Sequence, residues 1–261
     1  MDGGSPVYAI AASRDGKWIM SGTIRGLVTV WNAESNSKVT EVRRHSNRRP
    51  GVCAVDVSPD GSRIATGSDD YTVCVWSLST GDRLLRPFKH DGEVAAVKFS
   101  PNGGLIATAT WCRASVRVYD SQNGFLVGFP VEVGSWLNQS LAWASDSKRL
   151  FALSHDGNIH WLDVSSGTTL SKWGIHSSNG ACIALASNGT FIAASAGSST
   201  SFWGTTTHDQ IGSVVEHTHV VESMAILSNY DLVTGGDKKI TLLRLCDILP
   251  SRYVDNVRIF A

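Results

Sequence analysis

His217 and His219 are the closest pair of possible metal ligands in the sequence. Residues two apart on a strand point to the same face, so a metal site at this pair is conceivable. However, no Cys-x-x-Cys motif or set of carboxylates accompanies the pair, and a protein metal site needs three or four ligands. We therefore interpret His217 as a structural histidine and His219 as an exposed one, and we expect no metal and no cofactor.

Motifs for nucleophilic catalysis or phosphate binding are missing from the sequence. Serine, histidine and aspartate are all present, but there is no Gly-x-Ser-x-Gly elbow, no His-Glu-x-x-His and no Gly-x-x-x-x-Gly-Lys-Ser/Thr loop. The glycines at 22, 26, 103 and 104 have the character of turn residues. The sequence therefore favours a protein that is not an enzyme.

Charge and composition exclude further classes of function. The 23 basic and 23 acidic residues give a formal net charge of zero, whereas a general nucleic-acid binder needs a basic excess to neutralise phosphates. The sequence has no apolar run long enough to span a membrane, and no signal-peptide pattern opens it. An odd number of cysteines, five, is typical of free thiols in a reducing compartment. We expect an intracellular protein, cytoplasmic or nuclear, that binds neither nucleic acid nor membranes.

Six similar segments recur along the chain at a nearly constant interval. The clearest are Val28-Thr29-Val30-Trp31 and Val73-Cys74-Val75-Trp76, and the six segments end at residues 31, 76, 119, 162, 203 and 243, which are 40 to 45 residues apart. This interval is typical of the blades of a β-propeller. A missed repeat would change the whole fold assignment, so this signal outweighs any local one.

Each repeat has the same internal order of strands and turns. In the second repeat, apolar residues 52–57 precede the turn Ser58-Pro59-Asp60-Gly61, and strands follow over 63–68, up to Trp76, and around 83–88. A tight turn at Asp69-Asp70 separates the second strand from the third. We see no linker, and we predict one all-β domain over residues 1–261, a β-propeller of about six four-stranded antiparallel blades.

With these motifs, residues 5 to 250 resemble the WD-repeat β-propellers. The resemblance implies that His45, Thr66, Asp70 and Trp76 of the second repeat form the hydrogen-bonded tetrad of that family, in which a satisfied polar chain makes a blade rigid. The other repeats have drifted from the pattern. For example, Arg25 and Arg113 stand at the aspartate position in the first and third repeats.

Closure of the ring is an open question at this point. Seven blades are commonest in the family that the sequence resembles, and six repeats are visible here. We favour a closed or nearly closed ring of six blades, in which residues 254–260 supply the outer strand of the last blade. The alternatives are an incomplete ring of seven blades and an open ring with exposed edges.

The resemblance also implies a function, a non-catalytic scaffold that binds a protein or peptide partner on the loop face of the propeller. Aromatic and arginine residues are enriched where binding energy concentrates, and Arg48 and Arg49 could meet an acidic or phosphorylated partner. The alternative is a hydrolase-like enzyme with its site at the mouth of the channel. The candidate partner-binding residues are Tyr8, Arg48, Arg49, Asp69, Glu93, Trp111, Trp136, His155 and Glu222.

Overall fold

Six antiparallel sheets, each built from consecutive strands, make up the part of the chain that the structure describes. We analyse a computed structural model that describes residues 5–43, 45, 51–111, 115–134, 137–175, 180–227 and 231–254. Within these residues five sheets have four strands, and the sixth has three. The prediction of an all-β propeller of about six blades is confirmed.

The strands alternate with short turns throughout. The first sheet contains Val7–Ala12 (β1), Trp18–Thr23 (β2), Leu27–Asn32 (β3) and Lys38–Arg43 (β4). The second contains Val52–Val57 (β5), Arg63–Ser68 (β6), Thr72–Ser77 (β7) and Phe88–Lys89 (β8). The third contains Val94–Phe99 (β9), Leu105–Thr110 (β10), Ser115–Asp120 (β11) and Leu126–Glu132 (β12).

The other three sheets follow the same order. The fourth contains Leu137–Trp143 (β13), Arg149–Ser154 (β14), Asn158–Asp163 (β15) and Thr168–Gly174 (β16). The fifth contains Gly180–Leu185 (β17), Phe191–Ala196 (β18), Ser199–Gly204 (β19) and Val215–Glu216 (β20). The sixth contains Ser223–Ile226 (β21), Asp231–Gly236 (β22) and Lys239–Arg244 (β23), after which come a 3-10 turn, Leu245–Asp247, and the one-turn helix α1, Ser251–Val254.

The outer strand of the second sheet is shorter than the sequence predicts. Residues 83–88 were expected to form a regular strand, but only Phe88–Lys89 pairs continuously, and Arg83 makes an isolated bridge to Trp76. Pro87 lies between these two points and has no N–H to donate to the ladder. The outer edge of this sheet is therefore irregular.

Consecutive sheets pack face to face around a common axis, and their first strands lie innermost. Met20 and Val28 of the first sheet pack on Val55 and Ile64 of the second, and the same arrangement continues from sheet to sheet up to the sixth. Close approach requires Gly22, because a Cβ at this position would lie 2.6 Å from Cγ1 of Val52. Gly67 meets Val94 of the third sheet in the same way, at 2.5 Å.

The junction between the sixth sheet and the first is different. Within the described part of the chain, β21 packs on β17 and β1 packs on β5, but no comparable packing joins β21 to β1. Ile10 on β1 and Ile240 on β23 are exposed, although equivalent residues of the other sheets are buried. Within the described residues the first and sixth sheets are therefore not packed on each other as the other sheets are, and a fully closed ring is not formed there.

The segment after β23 does not form a fourth strand within the described residues. Leu245, Leu249 and Val254 are instead buried together with Phe191 and Phe202 of the fifth sheet. The expected outer strand over 254–260 falls almost entirely on residues outside the described ones, and Val254 belongs to α1. No helix among the described residues is long and apolar enough to cross a membrane.

The four tetrad residues of the second sheet meet through hydrogen bonds. The Thr66 hydroxyl lies 2.5 Å from Nε2 of His45 and accepts the indole N–H of Trp76 at 2.8 Å. The carboxylate of Asp70 lies 3.4 Å from Nδ1 of His45. Burial by itself lowers the pKa of His45, but the hydrogen bond to Asp70 and further polar contacts outweigh it and raise the pKa to about 9. The histidine is therefore a buried cation paired with an aspartate.

His90 has the same position in the third sheet as His45 has in the second, but its ring is neutral. His90 contacts the Thr108 hydroxyl at 2.9 Å and the carbonyl oxygen of Phe88 at 3.1 Å, so it is satisfied as a neutral ring. Burial, helped by the positive charge of Arg117, lowers its pKa to about 4. Among the described residues, no carboxylate contacts the His90 ring as Asp70 contacts that of His45.

We expect Thr66→Val to destabilise the protein strongly. The substitution leaves buried nitrogens of His45 and Trp76 without a partner, and each such group costs about 1–3 kcal/mol. Ser21→Ala is the matched control, because Ser21 accepts a single bond, from the indole of Trp31 at 3.3 Å. Urea unfolding should show a loss of about 2–4 kcal/mol for Thr66→Val and of about 1 kcal/mol or less for Ser21→Ala. Equal losses would contradict the role of the tetrad.

His45 and His90 should affect stability in opposite pH ranges. The pKa of His45 is raised from 6.5 to about 9, so its contribution is complete below pH 6.5 and is lost as the pH rises to about 9. The pKa of His90 is lowered from 6.5 to about 4, so its contribution is present above pH 6.5 and is lost as the pH falls to about 4.

The measurement is the free energy of unfolding of wild type, His45→Gln and His90→Gln at about pH 5, 7 and 9.5. The difference between wild type and His45→Gln should shrink at high pH, and the difference between wild type and His90→Gln should shrink at low pH. Differences that do not change with pH would show that neither charge state contributes.

Candidate functional site

In each sheet, the start of the first strand and the turn between the second and third strands lie at the same end of the strands, because the strands are antiparallel. Backbone bonds join these two points: the N–H of Asp69 donates to the carbonyl of Gly51 at 3.0 Å, and the N–H of Trp111 donates to that of Glu93 at 3.0 Å. We call the surface formed by these strand ends and turns the loop face. It contains Tyr8, Asp69, Glu93, Trp111, His155 and Glu222.

Trp111 occupies the position that Asp69 has in the second sheet. The sequence alignment places Cys112 there, but the strand β10 ends at Thr110 as β6 ends at Ser68, and Trp111 makes the equivalent backbone bond. The indole is half-buried. The backbone hydrogen bond of Trp111 matches that of Asp69, so this indole lies on the loop face. The residue that corresponds to Asp69 is therefore Trp111 and not Cys112.

The first strands line a central channel of about 540 Å³. Its wall includes Tyr8, Cys53, Ala95 and Glu222, which lie at or next to the start of the first strand in four different sheets. Most of the other lining residues are small or apolar: Val7, Ala9, Ile10, Ala54, Val55, Ala96, Val97, Leu141, Cys182, Ile183, Ser223, Met224, Ala225, Val233, Thr234, Gly235 and Ile240. Lys98 and Glu222 are the charged residues among those that line it.

The channel thiols are neutral. Burial raises the pKa of Cys53, and the carboxylates of Asp69 and Glu93 raise it further; the thiol donates to Asp69 Oδ1 at 2.8 Å. Burial likewise raises the pKa of Cys182 to about 12. A thiolate is the reactive form of cysteine, so these residues are structural and not nucleophilic.

The structure describes six of the nine predicted partner-binding residues. Tyr8, His155 and Glu222 are exposed, whereas Asp69, Glu93 and Trp111 are partly buried. Arg48, Arg49 and Trp136 lie outside the described residues. The residues that are described come from different sheets and share one face, which makes a common binding surface geometrically possible.

The interpretation of the histidine pair was wrong for His219, whereas His217 has a structural contact. His217 Nε2 contacts the hydroxyl of Thr200 in the fifth sheet at 3.0 Å, and His219 is buried, not exposed. Thr234, at the position of Thr66, has a buried hydroxyl without a partner among the described residues. Within that same part of the chain, no group of three or more His, Cys, Asp or Glu side chains could hold a metal ion.

Sequence reasoning missed a polar pair at the opposite end of the first strands. Lys98 Nζ lies 3.0 Å from Oδ1 of Asp56, and Oδ2 of Asp56 accepts the backbone N–H of Phe99 at 2.7 Å. The pair joins the second and third sheets next to a cavity of about 320 Å³. A charged residue inside each of two otherwise apolar strands, Asp56 and Lys98, was the available signal.

Thiol labelling tests the state of the channel cysteines. In a Cys112→Ser background, we expect Cys246, which is exposed, to react with an aromatic disulfide reagent at about pH 8. Cys53, Cys74 and Cys182 are buried and should react only after unfolding in urea. Rapid reaction of Cys53 or Cys182 in the folded protein would contradict the assignment of the channel thiols as buried and neutral.

Comparison with known proteins agrees with this geometry. The family described as "WD domain, G-beta repeat" matches residues 2–32, 36–77 and 82–120. The periodic tryptophan protein 2 homolog of Neurospora crassa is 33% identical over 110 residues, which are 42% of this chain and 12% of that protein. The small ribosomal subunit protein RACK1y of Oryza sativa subsp. japonica is 33% identical over 153 residues, 56% of this chain and 44% of that protein.

The protein groucho of Drosophila melanogaster is 33% identical over 100 residues, which are 38% of this chain and 13% of that protein. The chain thus spans less than half the length of these relatives. The matched repeats correspond to the first three sheets, and the later sheets repeat the same strand order. Over its first three sheets the chain is therefore similar to the WD-repeat proteins.

Proposed function

We propose that this protein is a non-catalytic scaffold that binds a protein or peptide partner on its loop face. The observation that carries the proposal is the channel mouth, where Tyr8, Cys53, Ala95 and Glu222 come together from four sheets. An exposed aromatic ring, small apolar side chains and a carboxylate are a mixture suited to a polypeptide surface. The channel volume, about 540 Å³, is enough for a few side chains of a partner.

Carboxylates at the channel mouth favour a cationic group on the part of the partner that enters there. Asp69, Glu93 and Glu222 are carboxylates on the loop face, and Asp69 and Glu93 both act on the thiol of Cys53. An acidic or phosphorylated partner remains a separate prediction that rests on Arg48 and Arg49. The two predictions differ in sign, so charge reversal at either set distinguishes them.

The residues of the channel support a scaffold over a hydrolase-like enzyme. No histidine is among the described residues that line the channel, and the two cysteines there are neutral thiols. His45 and His90 are occupied by hydrogen bonds inside their own sheets. A nucleophile paired with a base, which hydrolysis by a side chain requires, therefore has no support in this part of the chain.

The relatives are consistent with a macromolecular partner. One of them is named as a protein of the small ribosomal subunit, which is an assembly of many chains. We carry over from it only the class of activity, binding within an assembly. Location inside the cell and the absence of nucleic-acid binding remain predictions from the sequence.

Selection of binding peptides from a random display library tests the proposal. Peptides selected on the wild-type chain should bind at least about tenfold more weakly to Tyr8→Ala and Glu222→Lys, which is about 1.4 kcal/mol. Trp111→Ala/Trp136→Ala should weaken binding as well, because aromatic side chains often dominate interfaces. Isothermal titration calorimetry measures the affinities. The dependence of the affinity on salt concentration shows how much charged groups contribute to the contact.

Phe125→Ala is the matched control, because Phe125 is an exposed aromatic residue just before the outer strand β12. It should leave the affinities unchanged. Peptides that lose affinity with Phe125→Ala and keep it with Tyr8→Ala and Glu222→Lys would place binding away from the loop face. Peptides rich in acidic residues that depend on Arg48 and Arg49 would reverse the predicted sign of the partner.

A further inference from the structure

A second cavity, of about 320 Å³, lies at the other end of the first strands from the loop face. Its inner wall takes one residue from each of five sheets, the last residue of the first strand: Ala12, Val57, Phe99, Trp143 and Leu185. The side chains of Val57, Phe99 and Trp143 also belong to the core between sheets. The inner wall of this cavity is therefore apolar and is held in place by the packing of the sheets.

The rim of the cavity is formed by the turns that follow the first strands. Each of the same five sheets contributes the equivalent turn residue: Arg14, Pro59, Pro101, Ser145 and Ser187. We call the space lined by these two sets of residues the turn-face cavity. Neighbouring turns contact each other, since the N–H of Asn102 donates to the hydroxyl of Ser147 at 3.1 Å. A Cβ at Gly103 would lie 3.4 Å from Cδ of Pro59. The rim is therefore preformed, which lowers the entropy cost of binding.

Arg14 is an exposed cation on this rim. No hydrogen bond or ion pair holds its guanidinium group among the residues that the structure describes. The adjacent Asp15 accepts the hydroxyl of Ser13 at 2.6 Å and lies 3.5 Å from Nζ of Lys17, so it is occupied within its own turn. A free guanidinium group forms two parallel hydrogen bonds with a carboxylate. Arg14 is therefore available for an anionic group that enters the turn-face cavity.

The carboxylates near the cavity already have partners. Asp56 lines the cavity, and it accepts Nζ of Lys98 at 3.0 Å and the backbone N–H of Phe99 at 2.7 Å. Asp60 and Asp146, in the turns of the second and fourth sheets, accept hydrogen bonds from residues of their own turns. The charge that lacks a counterion at this cavity, among the described residues, is therefore positive.

The backbone of these turns is unsuited to the carboxylate at the end of a chain. A C-terminal carboxylate is captured by a cradle of free backbone N–H groups. Here the N–H groups of Gly16, Gly61 and Gly103 each donate to the carbonyl oxygen of the serine three residues earlier. Pro59 and Pro101 have no N–H to offer. A carboxylate that meets Arg14 is therefore expected on a side chain.

We propose that the turn-face cavity binds a peptide segment of a partner protein in which a large apolar residue stands next to an aspartate or glutamate. The apolar side chain packs on Phe99 and Trp143, and the carboxylate pairs with Arg14. A volume of about 320 Å³ accommodates one large side chain and part of its backbone. The hydroxyls of Ser145 and Ser187 on the rim are donors and acceptors for that backbone. This site is separate from the loop face, and it does not depend on the function proposed there.

Peptide selection on a chain with an altered loop face tests the proposal. The bait is Tyr8→Ala/Glu222→Lys, and the random library is displayed through its C-terminus, so no peptide has a free terminal carboxylate. The library is first depleted on the same bait with Ser145→Trp, which fills the turn-face cavity. The remaining peptides should share a large apolar residue next to an acidic one. They are then synthesised with acetylated and amidated ends, and isothermal titration calorimetry measures their affinities.

Variants in the same background locate the contact. Arg14→Ala should weaken binding by about tenfold, and Lys17→Ala, the matched cation of the same turn, by about twofold or less. Replacement of the acidic residue of the peptide by its amide should cost about tenfold on the unmodified bait and almost nothing on Arg14→Ala, because the two groups interact. Thr206→Trp, at an exposed position of the fifth sheet, is the control for Ser145→Trp and should leave binding unchanged. The chain with Tyr8 and Glu222 intact should bind these peptides equally well, so this proposal and the loop-face proposal fail independently.

Three results would overturn the proposal. A selection that leaves no peptides after depletion on Ser145→Trp would show that the turn-face cavity does not bind a peptide. Additive losses of affinity for Arg14→Ala and the amide peptide would show that the carboxylate does not meet Arg14. A peptide that keeps its affinity after the amide replacement and gains about tenfold when its C-terminus is left free would assign recognition to a chain terminus.

Discussion

Each sheet of this protein has two apolar faces and can bury them only against its neighbours. A single four-stranded sheet is too small to form a core, so stability arises at the interfaces between consecutive sheets. Gly22 and Gly67 show how close these interfaces are, since no side chain fits between them and the valines of the next sheet. The central channel and the exposed faces of the first and sixth sheets both depend on this packing.

Polar groups inside this packing have to be satisfied locally, and the sheets do so to different degrees. In the second sheet Asp70 stabilises a charged His45, so that a cation, a hydroxyl and an indole form one connected chain. In the described part of the third sheet no carboxylate bonds to His90, and burial lowers the pKa of this ring, which is neutral. The second and third sheets thus have the same four-strand order, although the buried histidine is charged in one and neutral in the other.

The loop face and the junction are different kinds of surface. The loop face combines an exposed ring, carboxylates and small side chains at the channel mouth, which is suited to reading a partner's side chains. The junction exposes apolar side chains of two sheets, among them Ile10 and Ile240. Tyr8 and Ile10 are two residues apart on the inner strand β1 and both line the channel, so one strand contributes to both surfaces.

The sequence alone was sufficient for the elements that depend on local chemistry. Turn residues and alternating apolar residues predicted strands over 52–57 and 63–68, and both agree with the structure. The interval of 40 to 45 residues and the resemblance of the second repeat to WD repeats predicted the β-propeller fold. Such signals are local because a turn or a strand depends on a few neighbouring residues.

Only the tertiary structure decided features that depend on what lies across an interface. His219 is buried, Trp111 takes the register of Asp69, and within the described residues the first and sixth sheets do not pack on each other as the other sheets do. Ile10 and Val55 have the same place in the repeat and the same apolar character, so sequence cannot tell the exposed one from the buried one. Whether such a residue is buried depends on whether another sheet packs on it, and only the assembled ring determines which sheets meet.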